Sequence, residues 1–319
     1  MTEHPAGSGG TGRGLRSLPS AVGGQLADWG YAAGWQLVRA APEAVARNTF
    51  DAGARWAARN GGPEQLRKNL ARVTGTTPER VPEDLMRASL ASYARYWREA
   101  FRLPAMDHAD LARRLRVNDI ELLWAALDAG RGAVLALPHS GNWDMAGVWL
   151  VQNHGTFTTV AERLKPESLY HRFLAYRERL GFEVVPLSGG TRPPFDVLRD
   201  RLLGNGVVCL MADRDMTRTG VPVDFFGEPS RLPAGPAKLA LTTGAALLPV
   251  HCWFEPDDWG MQVYPELDTS SGDVIAITQA LADRFATNIA AHPEDWHMMQ
   301  PQWLADLSDE RRARLESYG

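Results

Sequence analysis

A histidine and an aspartate five residues apart, His139 and Asp144, directly follow a short apolar run. That run, residues 133–137, predicts a buried strand, and residues 143–151 predict an amphipathic helix. Side chains at the carboxyl end of a strand project into the crevice in which α/β proteins hold their ligands. Residues five apart on one helix are rotated by about 140°, so the pair can meet only through a turn, which Gly141 permits. A carboxylate on one ring nitrogen would leave the other nitrogen as a base for a hydroxyl proton.

The spacing His-x-x-x-x-Asp is weak evidence when it stands alone, because chance supplies it often. Its structural interpretation is a histidine satisfied within the core and an aspartate that caps the following helix. The elements around the motif must decide between the two interpretations.

The composition is that of a globular protein: 319 residues, 45% of them hydrophobic and 23% charged, with a net charge of -4. That charge gives no indication of a nucleic-acid partner. Cys209 and Cys252 lie in apolar runs and are predicted to be buried, inert thiols. His251 and Cys252 are adjacent on a predicted strand and point to opposite faces, and no zinc, calcium, dinucleotide or P-loop motif occurs. We therefore expect no metal and no cofactor.

Beyond residue 130 the sequence alternates between strand and helix patterns. The predicted strands cover residues 133–137, 157–161, 183–187, 207–212, 246–254 and 261–264. The predicted helices cover residues 143–152, 167–180, 193–203, 234–244 and 273–291. This alternation predicts an α/β fold with a largely parallel central sheet flanked by helices.

The amino-terminal third predicts an α-helical cap. Residues 1–20 are rich in Gly, Ser and Thr and are expected to be a disordered tail. Residues 22–41 and 85–101 predict helices, and Pro42 begins another between them. We expect one domain over residues 21–319, with a cap (21–104) and an α/β core (105–319). No run of about 18 apolar residues occurs, so no spanning helix is expected.

This cap has the composition of a surface that meets lipid. Residues 22–41 carry one narrow polar stripe, and residues 47–72 hold six bases against two acids, a net +4. Trp29 and Trp35 are expected at the depth of the headgroups of an anionic membrane. Alternatively, the helices only cover the core and expose their arginines to solvent.

Charged residues also follow two other predicted strands. Glu162 and Arg163 come after residues 157–161, and Asp213-Arg214-Asp215 comes after residues 207–212. Burying charged groups at the end of an apolar strand costs free energy, so such groups are expected to be paired or functional. Asp213 or Asp215 could therefore be a second carboxylate near His139. A surface pair between Asp213 and Arg214 is the alternative.

The local sequence His139-Ser-Gly-Asn-Trp-Asp144 resembles the signature of the glycerolipid and lysophospholipid acyltransferases. It is most similar to the branch that contains the lipid A late acyltransferases and the phosphatidylinositol mannoside acyltransferases. Further blocks of the resemblance follow in order: the Ser89 to Glu99 segment, Glu162-Arg163, Phe225-Phe226-Gly227 with the loop 231–236, Pro249, and residues 292–303. The resemblance runs from about residue 25 to 305. It is far more specific than the histidine motif alone.

The resemblance implies transfer of a long acyl chain from acyl-CoA to a glycolipid hydroxyl, with a mannose of phosphatidylinositol mannoside as the expected acceptor. In that chemistry His139 is the base, Asp144 orients its ring, and Asp213 is the second carboxylate. No covalent acyl-enzyme is expected. The expected substrate contacts are Glu162, Arg163, Arg177, Thr219, Arg231 and Thr242. Thr242 could equally bond its own backbone.

The acceptor implied by the resemblance is anchored in a bilayer, so we expect a peripheral protein at the cytoplasmic face of the inner membrane, attached to anionic lipid. Two alternatives stay open at this point. A lysophospholipid or lipid A-type acyltransferase would share the catalytic blocks and differ in its acceptor. A non-enzymatic lipid-binding protein on the same fold would keep the pocket without turnover.

Overall fold

The computed structural model describes residues 34–162 and 167–316, with residues 167–169 and 316 described by their backbone alone. Its strands are β1 (Leu115–Asn118), β2 (Ala133–Leu137), β3 (Thr158–Ala161), β4 (Glu183–Pro186), β5 (Val207–Met211), β6 (Val221–Phe225), β7 (Glu228–Leu232), β8 (Ala246–Phe254) and β9 (Trp259–Val263). Seven of them form one sheet in the order β1-β9-β8-β2-β5-β3-β4, and β6 and β7 form a separate hairpin.

The helices surround this sheet. After α1 (residues 34–40) they are α2 (Glu43–Ala57), α3 (Glu64–Val73), α4 (Glu83–Arg102), α5 (His108–Arg114), α6 (Glu121–Asp128), α7 (Trp143–Asn153), α8 (Glu167–Arg179), α9 (Pro194–Leu203), α10 (Gly235–Thr243), α11 (Val274–Ala291) and α12 (Asp309–Glu316). Apart from the helix predicted over 22–41, most of which lies outside the described residues, the predicted elements are present, and those with predicted bounds end within about two residues of them. The sequence did not predict β1, α3, α5, α6, α12 or the hairpin.

The sheet confirms the predicted α/β class and its largely parallel order. Strand β2 lies between β5 and β8 and is parallel to both, with Ala133 opposite Val207 and Ala246. Strand β3 is parallel to β5 and β4. The exception lies at one edge, where β9 is antiparallel to β8 and β1 is parallel to β9. Because β2, β3 and β5 end at the same edge, the residues that follow them are brought together there.

Apolar layers cover both faces of the sheet, and alternate residues of β2 enter opposite layers. Val134 and Ala136 pack with α9, α10 and α11 on one face. Leu135 and Leu137 pack with α6, α7 and α8 on the other. A strand buried on both faces reads as a continuous apolar run, which explains why β2 was predictable.

The amino-terminal cap is a helical layer in which α2 packs along α4. The expected disordered tail (1–20), Trp29 and most of the predicted helix 22–41 lie outside the described residues, and the division into tail, cap and core stays a prediction. In the described ranges, no helix is both long and apolar enough to cross a membrane.

Trp35, expected at headgroup depth, packs against other rings of the protein, and its depth in a membrane stays a prediction. Its indole packs against Phe101, Phe173 and Tyr176 at ring-centroid distances of 5.1 to 5.7 Å. Its Nε1–H donates to the carbonyl of Phe101 over 3.1 Å. Among the described residues of the cap, the exposed large apolar side chains are Leu37, at 72%, Val45, at 54%, and Trp56, at 70%.

The net charge of +4 over residues 47–72 overstates the positive charge available to a membrane. Arg67 pairs with Glu83, and Arg72 pairs with Glu228 and Asp306. Lys68 pairs with Glu64 inside the same stretch. The Arg72 pairs fasten the cap to the core, and the other two pairs lie within the cap, so part of the basic character is structural.

Candidate active site

The turn after β2 positions His139, and Gly141 makes that turn. Gly141 has a φ of 59°, a conformation that favours glycine. A Cβ there would lie 2.6 Å from the backbone carbon of Cys252, so the neighbouring strand also excludes a side chain. The Gly141 N–H donates to the carbonyl of Asp295, and Asn142 then caps α7 by accepting from the Met145 N–H. The sharp turn predicted between strand and helix is confirmed.

The imidazole of His139 is held by Asp213, which follows β5. The His139 Nδ1 lies 2.6 Å from Asp213 Oδ1, and the His139 backbone N–H donates to Asp213 Oδ2 over 3.0 Å. Trp296 donates its Nε1–H to the same Oδ2 over 2.9 Å. Asp213 is completely buried, whereas the His139 side chain is 38% exposed. Since a carboxylate only accepts, Nδ1 carries the proton and Nε2 keeps a lone pair for a substrate.

This pairing changes the pKa of both groups. Burial lowers the pKa of His139, but the charge and hydrogen bond of Asp213 outweigh it and leave that pKa raised. Burial raises the pKa of Asp213, but His139 and the hydrogen bonds from the His139 backbone and Trp296 outweigh it and leave that pKa lowered. The site therefore holds an ionised carboxylate behind a ring of increased basicity.

Asp144 does not make the ring contact that was expected of it. Its Oδ1 accepts from Arg177 Nε over 3.0 Å, and its Oδ2 accepts from the hydroxyl of Tyr96 over 3.3 Å. Successive residues of a helix are rotated by about 100°. At the start of α7 it is Trp143 that packs against the His139 ring, at 5.5 Å between centroids. Asp144 consequently faces α4 and α8, and Asp213 occupies the position on Nδ1.

Arg177 and Asp144 form a buried ion pair. Burial lowers the pKa of Arg177, but Asp144 and the neighbouring tyrosines outweigh it and leave that pKa raised. The Tyr176 hydroxyl is buried without a hydrogen-bond partner in the described part of the chain, and burial, with Asp144 next, raises its pKa well above the ordinary value. Arg177 was expected to contact the substrate, and that contact stays a prediction.

An apolar pocket opens beside these residues. Trp143, Asp144 and Arg177 line it, and Leu137, two residues before His139, lies in its wall. The rest of the lining is mainly apolar side chains from the sheet, α6 and α7, including Leu123, Leu135, Leu150, Phe157, Phe182, Val250 and Val263. Cys209 also lines the pocket, and both cysteines are free thiols whose pKa is raised by burial. A pocket of this lining suits a hydrocarbon chain.

The other predicted contacts lie near the site to different degrees. Glu162 is exposed at the carboxyl end of β3, the same edge as His139, and Arg163 lies outside the described residues. Thr219 is held in a local turn, where its hydroxyl lies 2.7 Å from that of Thr217. Arg231 donates to the carbonyls of Arg218 and Gly220, which fastens the loop after Asp213. Their contacts with substrate stay predictions.

Thr242 is not brought to the site. Its hydroxyl donates to the carbonyl of Lys238 in its own helix over 2.6 Å. Thr242 is close to the end of α10, just before β8 begins at Ala246, which pairs with the first residue of β2. His139 follows the last residue of β2, so Thr242 lies at the opposite end of the sheet.

A second polar network backs the dyad, and residue patterns did not assign it a role. Ser92 donates to Asp295 Oδ1 over 2.6 Å and lies 2.9 Å from His297 Nε2. Burial lowers the pKa of His297 to about 3, so that ring is neutral. Its backbone N–H donates to the carbonyl of His139 over 2.8 Å. The only sequence signal for this network was the resemblance of the segments around Ser92 and residues 292–303.

One group in the described part of the chain has the proximity required of metal ligands: His292, Glu294 and Asp295, with ligand atoms within 4.8 Å of one another. Both Asp295 oxygens already accept hydrogen bonds, from Ser92 and from the Phe254 N–H. We assign no metal to this group.

The α/β sheet holds an imidazole, paired with a carboxylate, at a strand end beside an apolar pocket. These features define a class of protein that can activate a hydroxyl next to a lipid chain. The chain belongs to the bacterial lipid A biosynthesis acyltransferase family, whose model matches residues 20–305. It is therefore an acyltransferase.

Similarity to curated relatives extends over most of the chain. It is 77% identical over 294 residues to a phosphatidylinositol mannoside acyltransferase of Mycolicibacterium smegmatis, covering 92% of this chain and 97% of that protein. It is 72% identical over 300 residues to a protein of the same name from Mycobacterium tuberculosis, covering 93% and 95%. The resemblance inferred from the motifs is confirmed.

Proposed function

We propose that this protein transfers a long-chain acyl group from acyl-CoA to a mannose hydroxyl of phosphatidylinositol mannoside at a membrane surface. The observation that carries the proposal is the His139–Asp213 dyad beside the apolar pocket. The choice of acceptor is supported by the names of relatives that are 72% to 77% identical over nearly their full length.

In the proposed reaction, His139 acts as the general base. Its Nε2 takes the proton of the mannose hydroxyl, and the oxygen attacks the thioester carbonyl. The new ester C–O bond forms, the C–S bond breaks, and the proton passes from His139 to the departing thiolate. The positive charge on the ring in between is stabilised by Asp213, which is buried and ionised. This scheme needs neither a metal nor a covalent acyl-enzyme.

The apolar pocket is the proposed site of the acyl chain. Each methylene group transferred from water to such a lining contributes about 0.8 kcal/mol, which favours long chains over short ones. With Trp143 packed against His139 and also lining the pocket, a chain bound there holds its thioester end near the base. This arrangement converts binding of the chain into orientation of the reacting carbonyl.

The cap supplies the proposed membrane contact. Trp56 is exposed on α2, and the exposed arginines 55 and 59 adjoin it along the chain. In the described part of the chain, the side chains of these two arginines form neither an ion pair nor a hydrogen bond. An exposed tryptophan beside free basic residues suits an anionic bilayer surface.

The decisive experiment is an incubation with labelled palmitoyl-CoA and a panel of acceptors: phosphatidylinositol mannoside, a lysophospholipid and a lipid A precursor. We expect acylation of the mannoside alone. His139→Ala should lower the rate by about 10²–10⁴. His154→Ala, which changes an exposed histidine at the end of α7, is the matched control and should keep the parental rate.

Two results would contradict the proposal. Normal transfer by His139→Ala would show that His139 is not the general base. Preferential acylation of the lysophospholipid or the lipid A precursor would replace the acceptor and leave the dyad intact. Mass spectrometry of the protein during turnover separately tests for a covalent acyl group.

A further inference from the structure

A second pocket, of about 270 Å³, lies on the outer side of α8, where this helix meets α1. Three arginines line it: Arg39 from α1, and Arg172 and Arg179 from α8. Among the residues that the structure describes, its lining contains no acidic side chain. Three positive charges thus share one depression between the cap and the core.

The geometry of α8 directs two of these arginines to one place. Arg172 and Arg179 are seven residues apart, so they lie on the same face of the helix and about 10 Å apart along its axis. Ala175 lies between them on that face and also lines the pocket, so no large side chain fills the space. Two long arginine side chains can converge on one small group across that distance.

These arginines differ from other arginines of the cap and of α8, which are paired. Arg102 pairs with Glu43, Arg95 with Glu99, and Arg177 with Asp144. In the described part of the chain, by contrast, the side chains of Arg39, Arg172 and Arg179 form neither an ion pair nor a hydrogen bond. Neighbouring cations without a counter-charge repel each other, and an anion bound among them relieves that repulsion.

The surroundings of the pocket indicate which anion fits. Trp35 lines it and packs on Phe173 and Tyr176, which makes a rigid apolar wall. Leu37, on the same turn of α1 as Arg39, exposes 72% of its surface. A basic pocket at the border of an exposed apolar side chain matches the depth at which a bilayer carries its phosphates.

We propose that Arg39, Arg172 and Arg179 bind the phosphodiester of an anionic phospholipid headgroup. Guanidinium groups bind phosphate oxygens in pairs of parallel hydrogen bonds, a geometry that lysine cannot reproduce. The inference rests on the proposed membrane function. It adds a defined headgroup site that the count of basic residues does not describe.

The test is co-sedimentation of the full chain with phosphatidylcholine vesicles, with and without phosphatidylinositol. Arg172→Gln with Arg179→Gln should weaken binding to the anionic vesicles by about tenfold or more. Arg172→Lys with Arg179→Lys keeps the charge and should still weaken it by about threefold. The matched control is Arg113→Gln with Arg116→Gln, two side chains each 69% exposed elsewhere on the surface, which should bind nearly as the parent does.

Two outcomes overturn the headgroup site. The site is refuted if the lysine variant binds the vesicles as the parent does, or if the control variant loses as much vesicle binding as the glutamine variant. Binding would then depend only on diffuse positive charge. If free coenzyme A displaces the vesicles, and its own affinity falls in the glutamine pair, the pocket takes the phosphates of a soluble thioester instead. Neither outcome bears on the proposed acyl transfer. That reaction is tested separately, by His139→Ala and by the acceptor panel.

Discussion

The substitution Asp213→Asn tests which of two carboxylates, Asp213 or Asp144, supports the catalytic role of His139. The substitution keeps the shape of the side chain and removes its charge. Asp213 accepts three hydrogen bonds, from His139 Nδ1, from the His139 backbone and from Trp296. An asparagine offers one carbonyl oxygen and an amide that only donates, so at least one of these donors faces another donor.

The expected loss of rate follows from the tautomer. Without a carboxylate on Nδ1, the proton is free to move to Nε2, where it blocks abstraction from the acceptor hydroxyl. We expect the transfer rate to fall by about 10²–10⁴, which corresponds to roughly 2.7–5.5 kcal/mol of the activation barrier. A fully buried donor left unsatisfied also destabilises the fold by about 1–3 kcal/mol, which a thermal melt should register while the fold survives.

The pH profile carries the sharper test. His139 acts as a base only when it is unprotonated, and Asp213 raises its pKa above the ordinary value of 6.5. In the parent protein the rate should therefore fall as the pH is lowered. The midpoint of this fall, the acid limb of the profile, should lie above pH 6.5. In Asp213→Asn, burial and the charges of Arg214 and Arg177 remain, and all of them lower that pKa. The acid limb of the residual activity should therefore move to a lower pH. Initial rates from pH 5 to 9, with vesicle-bound acceptor, would measure this shift.

Asp144→Asn is the companion variant. Asp144 contacts Arg177 and Tyr96 rather than the ring, so its loss should lower activity and stability without moving the acid limb. The reasoning is refuted if Asp144→Asn moves the limb and Asp213→Asn leaves it in place. Asp144 would then be the partner of the catalytic ring.

Variants elsewhere in the molecule test its other contacts. Arg177→Met leaves Asp144 charged and buried, so the free energy of unfolding in urea should fall by about 3–5 kcal/mol and recover in part when Asp144→Asn is added. Gly147→Ala would place a methyl group 2.6 Å from a phenylalanine ring in the pocket wall. If room for two methylene groups is lost, palmitoyl transfer should fall roughly tenfold relative to octanoyl transfer in a competition assay. Leu37→Ser with Trp56→Ser removes exposed apolar surface, so sedimentation with anionic vesicles should drop while the melting temperature holds. An unchanged sedimentation would place the membrane contact elsewhere.

Local patterns predicted the parts of the fold that depend on neighbouring residues. The apolar run of β2, the turn at Gly141 and the alternation of strands with helices all follow from sequence within about ten residues. The same patterns were insufficient for Trp35, because an aromatic residue at helical spacing looks the same whether it faces lipid or Phe173. They were also insufficient for the basic stretch, since Arg72 finds its acidic partners at positions 228 and 306.

The prediction that Asp144 orients the His139 ring was wrong for the same reason, although Asp213 was expected near His139 as a second carboxylate. Asp144 is near in sequence, whereas Asp213 reaches the ring because β5 lies beside β2. The order of strands in a sheet is a property of tertiary packing. The sequence alone placed Asp213 at the carboxyl end of a strand. The pairing of β5 with β2 determines which carboxylate contacts the imidazole.

Helix α8 connects the two sites argued above. Arg177 on this helix points inward to Asp144, while Arg172 and Arg179 line the outer pocket. If the Asp144–Arg177 pair is what fixes α8, Asp144→Asn should accelerate amide hydrogen exchange in α8 more than in α9, which packs on the opposite face of the sheet. It should also weaken binding to phosphatidylinositol vesicles, although residue 144 lies inside the protein. Parental exchange in α8, together with parental vesicle binding, would show that the helix is held by its apolar face alone.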